Sequence, residues 1–411
     1  MKRRQLTSPQ KVAYWLKWTP ATIVGLLLAV LVILVSPIRR YRFYVLPVDE
    51  IGPLIQYPHS YIWTQTQLPA SRNRDVFVYR PDTFVANSLL LSKWCSLLTV
   101  TKSRTIWVIL SIFTRLNLKR HLVRNGIDHP SAIARYPARA SRYLVPLTES
   151  ERAAATKNLS EVGLVPQEPF VCLIVRDGSY KATFRREPLI HDVKEAYRNQ
   201  RIGDFEQCAD VATEFDVKLV RMGVRVEQRF PGNYESVIDY AASGRRDEVT
   251  DLFLLSNCSL CVSTSVGSDS VCGIAGIPRL MMNIVPYHVT ANAYAWDTIL
   301  PVRFRLRKTH VELSLQETLQ YRSVKNFRGS EELEVDGLEI IRATPSEIAD
   351  AMRDALRRLN QVENLTSRDA DLQTRYWNLI EKNFDLSELD DCPRPVVAPS
   401  YLKLHADWLD V

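Results

Sequence analysis

Three textures of hydrophobic patterning follow one another along the chain. The first is an uninterrupted apolar run, residues 19–38, without a single charge. As a helix it would be about 30 Å long, the thickness of a bilayer's hydrocarbon core. Trp15 and Trp18 precede it and Tyr41, Phe43 and Tyr44 follow it, as interfacial aromatics do. No small-residue cleavage site follows; Arg39, Arg40 and Arg42 do, so the run is expected to stay uncleaved as a membrane helix. Lys2, Arg3, Arg4, Lys11 and Lys17 lie before it and the three arginines after it. That bias favours a cytoplasmic N-terminus, which for a single span would put the folded domains across the membrane. A second apolar run, Thr105–Phe113, has basic residues on both sides. It is too short to span and reads as a core element or one resting on a membrane.

The second texture is short apolar runs alternating with helical stripes, which predicts parallel, doubly wound sheets. In the first half Tyr41–Leu46, Asp75–Tyr79 and Leu97–Thr101 read as strands, Gly52–Gln67 and Phe84–Trp94 as helices, and Arg142–Pro146 closes the half. In the second half Pro169–Val175 is continuously apolar, as a strand covered on both faces should be. Val217–Val220, Ser236–Tyr240, Leu260–Ser263 and Arg279–Ile284 are the further strands, and Arg246–Ser256 carries a helical stripe. The third texture is helical throughout. Ile348, Met352, Leu356 and Leu359 place a helix over Pro345–Leu359, Leu372, Tyr376 and Leu379 another over Ser367–Asn383, and Ala398–Leu409 keeps enough large apolar residues to pack.

At 411 residues the chain is too long for one ordinary core, and 46% hydrophobic residues exclude disorder as its main state. A net charge of +7 suits anionic lipid and phosphorylated ligands. No compact basic stripe with interleaved aromatics supports nucleic-acid binding. Cys258 and Cys261 form a C-x-x-C inside an apolar run, with no second pair at zinc spacing, so the seven cysteines read as free thiols and no metal is expected.

Ligands of open α/β sheets bind beyond the carboxyl ends of the strands. Three such ends are polar here: Arg176-Asp-Gly-Ser-Tyr180, Arg221-Met-Gly223, and Ser263-Thr-Ser-Val-Gly-Ser-Asp269. The last, with Ser263, Thr264, Ser265, Gly267 and Ser268, has the composition of an anion site at a helix N-terminus; a plain helix cap would look the same. Arg176 and Arg221 favour the anion, since guanidinium matches phosphate bidentately, while the bland alternative is a salt bridge from each arginine to a nearby acid such as Asp177 or Asp247. No G-x-x-x-x-G-K-[ST] and no G-x-G-x-x-G occurs, which argues against an ATPase or an NAD enzyme.

The ordered series Val171-Cys-Leu-Ile-Val-Arg-Asp177, Ala196-Tyr-Arg-Asn199, Leu219-Val-Arg-Met-Gly223, Val237-Ile-Asp-Tyr-Ala241, Asp251-Leu-Phe-Leu254 and Ser263-Thr-Ser-Val-Gly267 resembles a family of bacterial glycosyltransferases of surface-polysaccharide gene clusters. It is distantly similar to the GDP-sugar half of O-fucosyltransferases. Asp49-Glu-Ile-Gly52, Tyr61-Ile62 and the ending Pro399-Ser-Tyr-Leu402 agree more loosely. The resemblance implies a GT-B architecture behind one transmembrane helix: a basic tail over 1–18, the membrane helix over 19–38, a Rossmann-like acceptor domain over 39–160, a nucleotide-sugar domain over 161–360, and a helix and tail over 361–411 that return to the first domain. It implies no cofactor and no obligatory metal, with Arg176, Arg198, Asn199, Arg221, Gly223 and the 263–268 turn on the nucleotide-sugar and a glycan or lipid-linked acceptor. It also implies a bacterial inner membrane with cytoplasmic domains. Asp177 and His191 lead the choices for the base, with His59 and Asp49 behind them. Pro53 stands where the family has a histidine, so no role transfers to that position. Two other readings compete: an inactive scaffold or export partner, and a secretory-pathway enzyme suggested by the triplets at Asn158, Asn257 and Asn364.

Overall fold

The computed structural model describes residues 8–38, 40–67, 73–118, 121–122, 145–165, 167–180, 195–327, 329–361, 365–387 and 392–410. The chain divides into two compact units, 1–129 and 130–411. Both are built on parallel sheets, so the α/β class read from the hydrophobic pattern is present throughout. The helix Glu149–Ser160, expected in the first domain, belongs to the second unit. Its Asn158 side chain donates to Asp247 Oδ2 (2.7 Å) and Thr250 Oγ1 (3.0 Å), and its Ala155 and Leu159 are buried.

The first unit opens with α1, Ser8–Val35. It stops before the expected end because Ser36 precedes Pro37, whose ring disfavours helix in the residue before it. Strands β1 (Tyr41–Val45), β2 (Arg74–Val78) and β3 (Val100–Thr101) form a parallel sheet in that order. Between them lie α2 (Ile51–Gln67) and α3 (Ser88–Leu97), and α4 (Arg104–Arg115) follows β3. Helix α3 starts four residues later than the stripe suggested, because the Asn87 carboxamide accepts the Leu90 N–H (2.7 Å) and caps it there. The ambiguous run 105–113 is α4, a core helix whose Ile109, Leu110 and Phe113 bury against Phe43 and Val78. Tyr44 stacks on Phe77 at 4.5 Å with Tyr61 edge-on to both, and the Tyr61 hydroxyl donates to Asp75, which Arg42 clamps bidentately at 2.6 and 2.5 Å.

The second unit carries a seven-stranded sheet in the order β12-β9-β8-β7-β4-β5-β6. These strands are β4 (Phe170–Ile174), β5 (Lys218–Met222), β6 (Val237–Ile238), β7 (Leu260–Ser263), β8 (Arg279–Met282), β9 (Thr298–Leu300) and β12 (Val396–Val397). All its pairings are parallel. Every residue of β4 is buried, as its continuous apolar run requires of a central strand. Chain order reverses there: the strands after β4 build outward on one side through β5 and β6, then on the other through β7, β8 and β9. That is the dinucleotide-fold order, with its crevice between β4 and β7. A separate antiparallel pair, β10 (Arg303–Leu306) with β11 (Leu338–Ile341), was not visible as strands in the sequence. The helix Ser367–Asn383 and the tail pack into this unit's own core through Tyr376, Ile380, Tyr401 and Trp408. The Gln373 amide pairs both ways with Val397 at 2.7 and 2.9 Å, fixing β12 on the sheet edge. Cys172, Cys258, Cys261 and Cys272 are buried free thiols, and burial pushes those of Cys172 and Cys272 well up.

The helix Pro345–Leu359 begins in a capping box, with Thr344 and Glu347 bonding each other's backbone N–H. Burial opposes the Glu347 charge, but His405 Nε2 at 2.5 Å and the two Thr344 donors outweigh it and hold the carboxyl at about 2. A carboxyl depressed in the folded state stabilises above its unfolded value, about 4.3, and that stability is lost as pH falls through the folded one. Glu347→Gln should therefore flatten the acid limb of melting temperature against pH between about 4.3 and about 2. An unchanged limb would show that this carboxylate carries none of the acid sensitivity.

Candidate functional site

The carboxyl ends of β4 and β7 meet because the strands pair in register, Ile174 beside Ser263. The next residues continue the contact: Thr264 N–H donates to Ile174 O (3.1 Å), and Arg176 N–H donates to the buried Thr264 hydroxyl (2.9 Å). Beyond this tie the chain turns sharply. Ser265 takes φ +58°, which side chains rarely adopt, and its hydroxyl donates to Met282 O at 2.7 Å, holding the turn against β8.

Over this turn lies the segment 195–200. Gln200 N–H donates to Arg176 O (2.9 Å), aligning the segment with the end of β4. The Arg176 guanidinium bonds the Asn199 carboxamide oxygen and Glu195 O (3.2 Å), and Arg198 Nη1 donates to Ser265 O (2.8 Å). The Glu195 carboxylate lies 3.3 Å from Arg176 and 2.7 Å from Arg198, so one anion bridges two guanidiniums at the strand ends. The Arg176 side chain is 9% exposed and that of Arg198 23%, so both are largely shielded from water. Gly267 is exposed, and among the described residues neither its N–H nor that of Ser268 donates to another group. Behind the arginines, Asn283 Nδ2 donates to Gln200 Oε1 (2.9 Å) in a buried polar pair, and among the described residues the Gln200 amide nitrogen has no acceptor.

Beneath the turn the groups are structural. The Ser263 hydroxyl donates to Asp269 Oδ2 (2.7 Å), and Asp269 lies 3.7 Å from Arg279. Arg279 in turn grips Asp297 with Nη2 (2.5 Å) and Nε (3.2 Å). Burial raises the Asp269 pKa against the pull of Arg279. The helix opening at Asp269 has six residues, and its Ser268 makes no side-chain cap.

The structure thus brings together Arg176, Arg198, Asn199, Thr264 and Ser265 from the residues singled out in the sequence, with Gly267 and Ser268 on the turn's outer side. Arg221 lies elsewhere. It is 2% exposed, donates to Gln228 O (2.5 Å) and pairs with Asp239 (3.3 Å), the salt-bridged alternative with a different acid. Gly223 serves packing, since a Cβ there would stand 2.7 Å from Val226. Asp177 closes its own turn, accepting from Ser179 N–H and hydroxyl on one oxygen (3.0 and 2.5 Å) and from Glu227 N–H on the other (2.7 Å). His191 lies outside the described residues. His59 is buried in α2 of the first unit, where desolvation lowers it to about 4, and Asp49 precedes that helix. Glu195 is the residue missed in the sequence. Its i,i+3 spacing to Arg198 was the available signal.

No known protein-family profile matches the chain, and neither does any curated protein sequence. Two solved structures are similar in fold. A family 9 glycosyl transferase from Veillonella parvula shares 12% identity over 64% of this chain and 86% of its own, with a TM-score of 0.36. The Escherichia coli ADP-heptose lps heptosyltransferase II shares 11% over 59% and 84%, with a TM-score of 0.37.

The Thr264 hydroxyl accepts the Arg176 N–H where β4 and β7 end. Thr264→Val should cost about 1–3 kcal/mol by removing that buried acceptor, whereas Thr264→Ser should retain most of the bond. Chemical denaturation of the two variants measures the difference, and equal losses would assign the effect to packing.

Proposed function

We propose that the chain is a glycosyltransferase that uses a nucleotide-sugar at the β4–β7 crevice and works at a membrane on a glycan or lipid-linked acceptor. The observation that carries this reading is the convergence of Arg176 and Arg198 on one carboxylate at the strand-order reversal, beside a hydroxyl-rich turn. A guanidinium pair that holds one carboxylate has the charge and geometry for a diphosphate. The donor's diphosphate would replace Glu195 between the arginines, and the N–H groups of Gly267 and Ser268 would add donors.

In the reaction the bond from the anomeric carbon to the diphosphate oxygen breaks as the acceptor oxygen forms its own bond to that carbon. The acceptor's proton passes to a base, and the diphosphate leaves with one more negative charge. Arg176 and Arg198 meet that growing charge, so they bind the transition state more tightly than the donor. Asp177 and His191 remain the candidates for the base. Asp177 sits at the same strand end, and His191 precedes the arginine segment in the chain. A second reading, an inactive scaffold, draws on the same Glu195, which already gives both arginines an internal partner.

Arg176→Ala should lower turnover by about a hundredfold or more with the fold retained, and Arg176→Lys should restore little, because an ammonium cannot form the bidentate pair. Arg221→Ala should do the reverse, keeping turnover and costing about 1–3 kcal/mol of stability, because it removes the buried donor to the Gln228 carbonyl and Asp239. The measurements are melting temperature and turnover with a panel of nucleoside-diphosphate sugars. A panel that leaves the melting temperature of the parent chain unmoved would favour the scaffold.

A further inference from the structure

Helix α1 is apolar enough to cross a bilayer over Trp18–Val35, where mean hydropathy reaches 2.5. It is also part of the first unit's core. Trp18, Gly25 and Ala29 are buried and Val32 packs half-buried, steps of seven, four and three that trace one heptad seam. The seam faces α4. A Cβ on Gly25 would lie 2.8 Å from Val108 Cγ1 and 3.1 Å from Thr105 O, so the two helices touch where only glycine fits. At the start of α4 the Arg104 guanidinium lies 5.8 Å from the Trp18 ring. The other side of α4 packs on the sheet through Ile109, Leu110 and Phe113. Away from the seam α1 exposes Ile23, Leu27, Val30 and Leu34 at 57%, 69%, 58% and 69%.

We propose that α1 does not cross the bilayer: docked along α4, it is embedded in one leaflet as a monotopic element, with both its ends and the α/β unit on the same side. A span would carry α4 into the hydrocarbon beside it. Arg104 would sit at the interface beside Trp18, but Arg115, about 17 Å further along the α4 axis, would be carried deep into a core about 30 Å thick. Charged side chains are strongly disfavoured there, and so are strand edges with unpaired backbone. Undocking α1 instead would leave the seam face of α4 in water. Positive charge at both ends of the apolar run, Lys11 and Lys17 before it and Arg39 and Arg40 after it, gives a spanning helix no preferred orientation. The same charges suit a helix whose two ends meet the anionic headgroups of one leaflet. The occupant of the exposed face is therefore lipid.

The test labels two thiols of the full chain with a membrane-impermeant maleimide, in intact expressing cells and in inverted vesicles made from them. One is the exposed Cys95 of α3 and the other is introduced as Ser8→Cys, in a Cys392→Ser background. Both thiols should label in the same preparation. Labelling in opposite preparations overturns the proposal, as does recovery of the chain as a soluble protein without detergent. A second measurement tests the docking itself. Gly25→Ala should lower the melting temperature of the membrane-bound chain, and added Val108→Ala should recover part of the loss. A Gly25→Ala chain as stable as the parent would show that α1 is not held against α4.

Discussion

The second unit depends on one constraint, the burial of β4 on both faces at the place where strand order reverses. A strand with every residue buried cannot lie at a sheet edge. Once it is central, β5 and β7 must flank it, and their successors must lead away in opposite directions. Helices that cover the sheet also diverge there, which leaves the carboxyl ends of β4 and β7 uncovered together. The bond from Arg176 N–H to the Thr264 hydroxyl results from that placement. Every group proposed to hold the donor follows either β4 or β7 in the chain.

A site at strand ends also needs a turn that keeps its shape without a ligand. Here a buried ionic chain supplies it, running from the Ser263 hydroxyl through Asp269 and Arg279 to Asp297. Such a chain is weak as a source of stability, since desolvation offsets most of its attraction. Its value is geometric, because each member has fixed partners and any shift strands a buried charge. Gly273 shows how closely it is fitted, since a Cβ there would meet the Arg279 guanidinium at 3.0 Å. The arginines above the turn are in a different state. Their partner Glu195 is 35% exposed, so the pair can open towards solvent while Arg279 and Asp297 cannot.

What could be read from the sequence follows from the range of each interaction. Strand β4 was legible because an apolar run of that length has one stable environment, and the helix Pro345–Leu359 because its cap and stripe are local. Strand β12 was not. It exists because Gln373, far away in the chain, pairs with Val397, and two apolar residues carry no period. Arg176 and Arg221 looked alike, each an arginine at the end of an apolar strand. They differ through Asp239 and Gln228, which lie across a loop from Arg221 and turn it inward, and through the segment 195–200, which meets Arg176 from above. Asp177 was legible as a polar residue at the right strand end, but its Ser179 and Glu227 partners belong to turn geometry that composition does not encode.

The same limit explains α1. Hydropathy counts how apolar a segment is and is blind to which side of it is occupied. The pattern that distinguishes a docked helix from a free one is small residues on one stripe, here Gly25 and Ala29, among large ones elsewhere. Small residues lose little side-chain freedom and let backbones approach, so in lipid they mark the face that meets protein, while the large residues meet hydrocarbon. In this chain that stripe coincides with the buried seam, and the protein it meets is α4. The apolar run and the short run at 105–113 are therefore one structural feature. In the leaflet-embedded arrangement proposed above, the first would supply the lipid-facing surface and the second would tie that surface to the sheet.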